Sequence, residues 1–161
     1  AIERLVRHPE AMDRLVTEAR EGGTEYAEAV CKETLRMRPV LPIVARLLKQ
    51  DAEIGGRLLP EGVIVAPNIY LVQHREDVYP DPRRFRPERF LEGQGGTYSW
   101  IPFGGGIRRC IGASFALFEM RIVLQAIARS VQLRAAQPQS EPVGRRSITL
   151  TPRHGAQVVA A

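Results

Sequence analysis

Residues 103–112 read Phe103-Gly104-Gly105-Gly106-Ile107-Arg108-Arg109-Cys110-Ile111-Gly112, and they place one of the chain's two cysteines in a glycine-rich turn. The apolar run at 113–129 predicts a helix, so Cys110 comes just before its first turn. Backbone N–H groups at the start of a helix stabilise negative charge on a nearby sulfur. Consecutive glycines also let the backbone approach a flat ligand without side-chain clashes. These features suit a stabilised thiolate at Cys110, but taken alone they do not separate a ligand from a structural thiol.

The same stretch resembles the signature F-x-x-G-x-R-x-C-x-G of the cytochrome P-450 family at every defined position. The resemblance implies that Cys110 is the axial iron ligand of heme b (iron protoporphyrin IX). Donation from such a soft thiolate favours cleavage of the O–O bond. It also implies that Phe103 shields the sulfur from water and that Gly104 and Gly112 belong to the heme-binding loop. Arg108 matches the position that turns inward and pairs with a heme propionate.

Other interpretations of Cys110 compete with this one. A buried structural thiol is the ordinary interpretation of an isolated cysteine, and only the surrounding signature reverses it. A zinc site requires more ligands, with paired spacing, than Cys110, the distant Cys31, His74 and His154 provide. A phosphate-binding loop requires the order G-x-G-x-x-G or a Lys-Ser/Thr ending, which the run lacks. Cys31 itself is predicted to be a small core residue.

Two further segments match the family at a suitable distance from each other. Residues 33–36 read Glu-Thr-Leu-Arg and fit E-x-x-R on one face of a helix. Residues 85–90 read Phe-Arg-Pro-Glu-Arg-Phe and resemble the family's PERF segment. An isolated E-x-x-R pair is usually a solvated pair worth well under about 1 kcal/mol. The resemblance implies a buried structural triad in which Glu33 lies between Arg36 and Arg89 and locks the two segments together.

The residues after the E-x-x-R helix resemble a stretch that passes over the heme. Pro42, Ile43 and Val44 would form an apolar wall, which suits a lipophilic substrate. Arg46 occupies the position of a second propionate-binding arginine, and an exposed arginine on a strand is the alternative. Together with Arg108 it would neutralise both carboxylates of a buried heme.

Periodicity predicts a mainly α protein with small β-sheets (α+β), which the resemblance identifies with the C-terminal part of the family's fold in one domain over residues 1–161. Helices are predicted at the chain start, at 9–22, at 24–38 with Thr24 as the cap, and at 113–129. Strands are predicted at 43–48 and 63–70, and a terminal hairpin from 148–150 and 156–160. Residues 74–96 predict an irregular meander that ends in a loop at 93–96, with His74 as a structural hydrogen-bonding residue.

Composition excludes several classes of function. The net charge is +5, but no run of five basic residues occurs, so nucleic acid is not the expected partner. The apolar stretches at 63–72 and 115–127 are too short or too charged to span a bilayer. Two cysteines suggest a reducing compartment, the cytoplasm, although an upstream membrane anchor remains open. The chain starts at Ala1 inside a helical pattern, which indicates a cut.

The resemblance implies a monooxygenase, an oxidoreductase that inserts one oxygen atom from O2 into a lipophilic organic molecule. Electrons would come from a ferredoxin, a flavodoxin-like protein or a reductase, with Arg109 and Arg134 as candidates for a basic docking patch. A generally arginine-rich surface is the alternative for these two residues.

Family members are more than twice this long, and no catalytic residue besides the heme ligand is expected in this sequence. The isolated fragment is therefore expected to be inactive. A non-catalytic heme-binding remnant and a peroxide-using or rearranging family member remain alternatives.

Overall fold

The computed structural model describes residues 1–93 and 95–160. Its helices are α1 (Ile2–Leu5), α2 (Pro9–Glu21), α3 (Glu25–Met37), α4 (Ile69–Val72) and α5 (Ala113–Ser130). Short 3₁₀ turns lie at Pro87–Phe90 and Gly106–Arg108. The helices predicted at 9–22, 24–38 and 113–129 are confirmed to within one residue at each end. Gln94, in the predicted loop at 93–96, and Ala161 lie outside the described residues.

Local chemistry explains where α2 and α3 begin and end. Pro9 occupies the first turn of α2, where its missing N–H costs nothing, and Gly22 ends the helix in the left-handed conformation at φ 83°. Thr24 stands at the cap of α3, but its side chain makes no capping hydrogen bond. The carboxylate of Glu18 replaces it by accepting the N–H groups of Tyr26 (2.6 Å) and Ala27 (2.9 Å). The first turn of α3 is thus capped from α2, which no local pattern indicates.

The apolar core lies where α2, α3 and α5 pack together. Its buried members include the larger residues Leu15, Val30, Cys31 and Leu124 and the small residues Ala19 and Ala27. Burial of apolar side chains among three helices is the main stabilising contribution to such a fold. Within the described part of the chain, no helix is long and apolar enough to cross a membrane.

The strands form four separate antiparallel pairs. They are β1 (Arg46–Leu47) with β4 (Ile64–Val65), β2 (Ala52–Ile54) with β3 (Arg57–Leu59), β5 (Leu133–Ala135) with β8 (Val158–Ala160), and β6 (Val143–Arg146) with β7 (Thr149–Pro152). The structure confirms the α+β class with small sheets. Strand formation at 43–48 is confined to the two residues of β1.

Two strand predictions are wrong. The strand predicted at 63–70 covers only β4, because the Asn68 side chain accepts the Leu71 N–H at 2.9 Å and starts helix α4. The terminal hairpin does not form between 148–150 and 156–160. Instead β7 pairs with β6 through a tight turn in which Ser147 has φ 55°, and β8 pairs with the distant β5.

A network of charged side chains ties α1 to the segment before β6. Glu3 accepts the Glu141 N–H at 3.0 Å, and Arg7 donates both to Glu3 at 2.7 Å and to the carbonyl of Pro138 at 2.8 Å. Burial alone would raise the pKa of Glu3, but these donors, with Arg4, outweigh it and keep that pKa below its usual value. The network fixes the approach to the β6–β7 hairpin, whose Leu150 N–H bonds the Val40 carbonyl at 2.7 Å.

Candidate functional site

Cys110 lies exposed at the end of the cysteine loop, which we define as residues 101–112, directly before α5. Its N–H donates to the carbonyl of Phe103 at 2.9 Å, which closes the loop on itself. Gly104 (φ 73°) and Gly106 (φ 64°) adopt the left-handed conformation that this closure requires. The loop thus presents one sulfur at the surface, held by backbone hydrogen bonds and not by a covering side chain.

Large apolar residues lie close to Cys110 in the sequence, and their side chains are exposed. Ile107 and Ile111 are fully exposed, and on α5 Phe115 and Phe118 are 68% and 55% exposed. Phe115, Phe118 and Ile122 follow one another at intervals of three and four residues, so they share a face of the helix. Neighbouring exposed apolar side chains of this size mark a surface that binds something apolar.

The glycines of the loop leave space for a flat ligand. A Cβ added to Gly104, Gly105 or Gly106 would meet no atom within 4 Å. A Cβ on Gly112 would lie 3.9 Å from the Cys110 sulfur, at ordinary van der Waals contact. An accessible thiol, open glycine backbone and apolar side chains suit a planar apolar ligand that carries a thiophilic metal ion.

Four arginines were predicted to face a ligand or a partner. Arg108 is exposed at the end of the 3₁₀ turn, and no carboxylate of the described residues lies within ion-pair distance of it. Arg109 and Arg134 are exposed as well. Arg46 is half-buried at the start of β1, and its guanidinium donates to the carbonyl of Ala45 at 2.9 Å.

The segment predicted as an apolar wall runs beside the chain that leads into α4. Pro42 accepts the Tyr70 N–H through its carbonyl at 3.2 Å, and the Val44 N–H donates to the Pro67 carbonyl at 3.2 Å. Ile43 forms an isolated bridge with Asn68 and leaves about half of its side chain exposed, at 49%. Among the described residues no hydrogen bond joins this segment to the cysteine loop.

Glu33, Arg36 and Arg89 meet inside the protein, where all three side chains have no exposed surface. Arg36 binds Glu33 through two N–H groups at 2.6 and 2.9 Å, and Arg89 reaches the same carboxylate at 3.1 Å. The Arg86 backbone N–H adds a fourth donor at 2.9 Å. The three charges leave one excess positive charge, which the Tyr79 ring face offsets at 5.1 Å from Arg36 and 5.9 Å from Arg89.

Gln73 is a buried polar residue that sequence reasoning missed. It caps α4, has no exposed surface, and bonds both to α3 and to the cysteine loop. The ring of the neighbouring His74, just past the end of α4, bonds back to the Tyr70 carbonyl at 2.8 Å. Burial lowers the pKa of His74 despite that bond. No sequence signal separates these two adjacent polar residues, because which one points inward depends on how α4 packs.

Cys31 differs from Cys110 in its exposure to solvent. Its side chain is buried in the core of α3, and burial raises the pKa of its thiol to about 12. The thiol therefore stays protonated and inert at neutral pH, since the thiolate is the form that binds metals. Only the cysteine in the exposed loop is accessible to a ligand.

Comparison with known proteins gives a consistent result. A family model described as Cytochrome P-450 matches residues 1–159. A Mycobacterium bovis protein provisionally named cytochrome P-450 135B1 is 43% identical over 98% of this chain and 35% of its own length. Mycobacterium tuberculosis proteins provisionally named cytochrome P-450 137 and 135A1 are 41% and 42% identical, over 98% and 96% of this chain and 33% and 34% of theirs. The chain spans about a third of the length of these curated relatives.

Proposed function

Because the chain belongs to the cytochrome P-450 family, we propose that it forms the thiolate side of a heme b site, with Cys110 as the axial ligand of the iron. The observation that carries the proposal is the exposed Cys110 sulfur at the start of α5, beside open glycine backbone, on a residue whose N–H donates to the Phe103 carbonyl. Heme binding is a general property of the family, and the exposed apolar side chains beside Cys110 fit the faces of a porphyrin.

The other residues of the loop have supporting roles in this proposal. The Phe103 carbonyl fixes the backbone of Cys110, and its ring lies edge-on to Trp100 with centroids 6.1 Å apart. We propose that, once heme is bound, the Phe103 ring shields the sulfur from water, which would strengthen the field of N–H dipoles near it. Gly104 and Gly112 keep the backbone thin where the heme would lie. Their proposed role is to leave free the space that a side chain would take from the heme.

Two arginines are proposed to bind the heme propionates. Arg108 is exposed within the loop, and Arg46 is half-buried with its guanidinium donating to the neighbouring Ala45 carbonyl. Each propionate carries a full negative charge that must be neutralised when heme is buried. A guanidinium supplies both the charge and a fork of donors.

In the protein at the length of its relatives, we propose monooxygenation: one oxygen atom of O2 enters a lipophilic organic substrate. The other oxygen atom leaves as water, formed with two electrons from a redox partner and two protons. Bound heme supplies the oxygen activation. Pro42, Ile43 and Val44 form an apolar wall toward that substrate, because they present hydrocarbon and no charge.

Arg109 and Arg134, both exposed, are proposed to attract an acidic ferredoxin, flavodoxin-like protein or reductase. The free cysteines are consistent with a cytoplasmic location.

The test compares two cysteine variants of the holoprotein, meaning the protein at the length of its relatives isolated with its heme. Cys110→Ala should abolish the thiolate-type spectrum of the reduced carbon monoxide complex, because no other exposed thiol exists among the described residues. Cys31→Ala should keep that spectrum, since its side chain is buried in the helical core. Retention of the thiolate spectrum in Cys110→Ala would refute the ligand assignment. A thiolate spectrum without any turnover would favour the alternative of a non-catalytic heme-binding protein.

A further inference from the structure

Gln73 lies between the end of α3 and the beginning of the cysteine loop. Its amide nitrogen donates to two carbonyls at the end of α3, Leu35 at 3.2 Å and Arg36 at 3.1 Å. Its amide oxygen accepts the N–H of Ile101 at 3.2 Å. Both N–H groups and the oxygen of this buried amide are therefore used. A buried amide is tolerated only when it is satisfied in this way.

The backbone of the same residue binds the charged triad. The Gln73 carbonyl accepts an N–H of Arg36 at 2.8 Å, while Arg36 holds Glu33 with its other N–H groups. Gln73 is thus bound at its backbone to the triad and at its side chain to both α3 and the cysteine loop. A shift of α3 relative to the loop would break bonds at both ends.

The bond to Ile101 continues toward the sulfur through the backbone of the loop. The Ile101 carbonyl accepts the Gly104 N–H at 2.9 Å, and the Phe103 carbonyl accepts the Cys110 N–H at 2.9 Å. Three successive hydrogen bonds therefore connect Gln73 with the Cys110 backbone. The Trp100 indole supplies a second attachment of the loop to α3, through the Lys32 carbonyl at 3.1 Å.

We propose that Gln73 is a positioning residue that sets the place of the Cys110 sulfur by fixing Ile101 to the end of α3. The inference rests on the proposed function only for the role of Cys110 as heme ligand. The coupling from Gln73 to Ile101 stands on the contacts alone. Gln73 touches no reacting atom and acts through the loop.

The experiment uses Gln73→Met in the holoprotein, which keeps the volume of the side chain and removes its three hydrogen bonds. The matched control is Gln125→Met, because Gln125 is also a buried glutamine, on α5, and its amide donates to the Gly23 carbonyl away from the loop. Two quantities are measured: hydrogen exchange at the Ile101 amide and the thiolate-type fraction of the reduced carbon monoxide spectrum.

Gln73→Met should accelerate Ile101 exchange roughly 5- to 30-fold, as loss of one buried hydrogen bond implies. It should also convert part of the carbon monoxide complex to the form without thiolate. Gln125→Met should change neither quantity, even if its global stability falls equally. If Gln73→Met matches the control in both, the inference is wrong.

Two further outcomes keep the result decisive. If Gln73→Met does not fold, the wild-type holoprotein still tests the coupling, since Ile101 must exchange far more slowly than exposed Thr97 and Tyr98. Equal rates would overturn the inference. A wild-type holoprotein that lacks the thiolate spectrum while Ile101 responds to Gln73→Met would contradict the heme-ligand proposal and leave the coupling intact.

Discussion

At the scale of single residues, the charge of Glu33 holds two guanidiniums inside the protein. Arg36 and Arg89 both bind this carboxylate, and their remaining N–H groups donate to backbone carbonyls such as those of Pro82 and Pro80. Carbonyl dipoles and the Tyr79 ring offset only part of two buried positive charges. The carboxylate is therefore the group whose loss leaves the largest uncompensated charge.

We predict that Glu33→Gln lowers the free energy of unfolding by about 3–5 kcal/mol, because it strands buried guanidinium charge without changing side-chain volume. Urea-induced unfolding of the holoprotein, followed by circular dichroism, measures the loss. Glu28→Gln is the matched control on the same helix. Glu28 pairs with Lys32 at 2.7 Å at a partly exposed position, so its loss should cost less than about 1 kcal/mol.

Equal effects of Glu33→Gln and Glu28→Gln would contradict the view that the triad is a buried electrostatic unit. If only Glu33→Gln lowers the free energy of unfolding, burial is the reason that the Glu33–Arg36 pair stabilises the fold, and the E-x-x-R spacing alone is not. The Glu33–Arg36 and Glu28–Lys32 pairs lie on the same helix and join the same types of charge, but they differ in solvent exposure.

At the scale of elements, the cysteine loop depends on backbone conformations that its glycines allow. Gly104 has φ 73°, in the region where a Cβ is strained, whereas Gly105 has φ −156°, an extended conformation open to any residue. Both have free space where a Cβ would lie. The two neighbours therefore separate backbone strain from steric crowding.

We predict that Gly104→Ala destabilises the folded protein by about 1–2 kcal/mol through the cost of the left-handed conformation. Gly105→Ala should change stability by less than about 0.5 kcal/mol, because neither strain nor a clash opposes its methyl group. Thermal unfolding of the two variants, made in the protein at the length of its relatives and without added heme, measures this difference. Similar midpoints for both would show that the loop conformation is not set by Gly104.

At the scale of the whole molecule, the 161-residue chain leaves much apolar surface uncovered. Ile107, Ile111, Phe115 and Phe118 near Cys110 are all exposed, and Leu71 and Ile148 elsewhere are 62% and 67% exposed. The compact part is the packing of α2, α3 and α5. An apolar surface of this extent favours association or loose packing unless a ligand or partner covers it.

We predict that the 161-residue chain produced alone is poorly soluble or forms a molten state. It should bind an apolar fluorescent dye strongly and give poorly dispersed NMR shifts, because side chains on the open face lack fixed packing partners. Addition of hemin should reduce dye binding if the face beside Cys110 receives heme. A cooperative thermal transition with well-dispersed shifts would contradict the prediction.

Local patterns in the sequence determined the three long helices and the cysteine loop. The periodicity of apolar residues and the positions of Pro9, Gly22 and Pro39 act within a few residues of the helix they delimit. The signature around Cys110 likewise needs no distant residue to be recognised. The family and the candidate ligand therefore followed from sequence alone.

Tertiary structure decided what depends on residues distant in sequence. The pairing of β8 with β5, the capping of α3 by Glu18 and the inward direction of Gln73 all require another element to be in place. Short strands can pair in several ways with similar local energies. A polar side chain is buried only where the interior supplies hydrogen-bond partners for it. Packing of the three helices supplies those partners, and that information lies in no single segment of the chain.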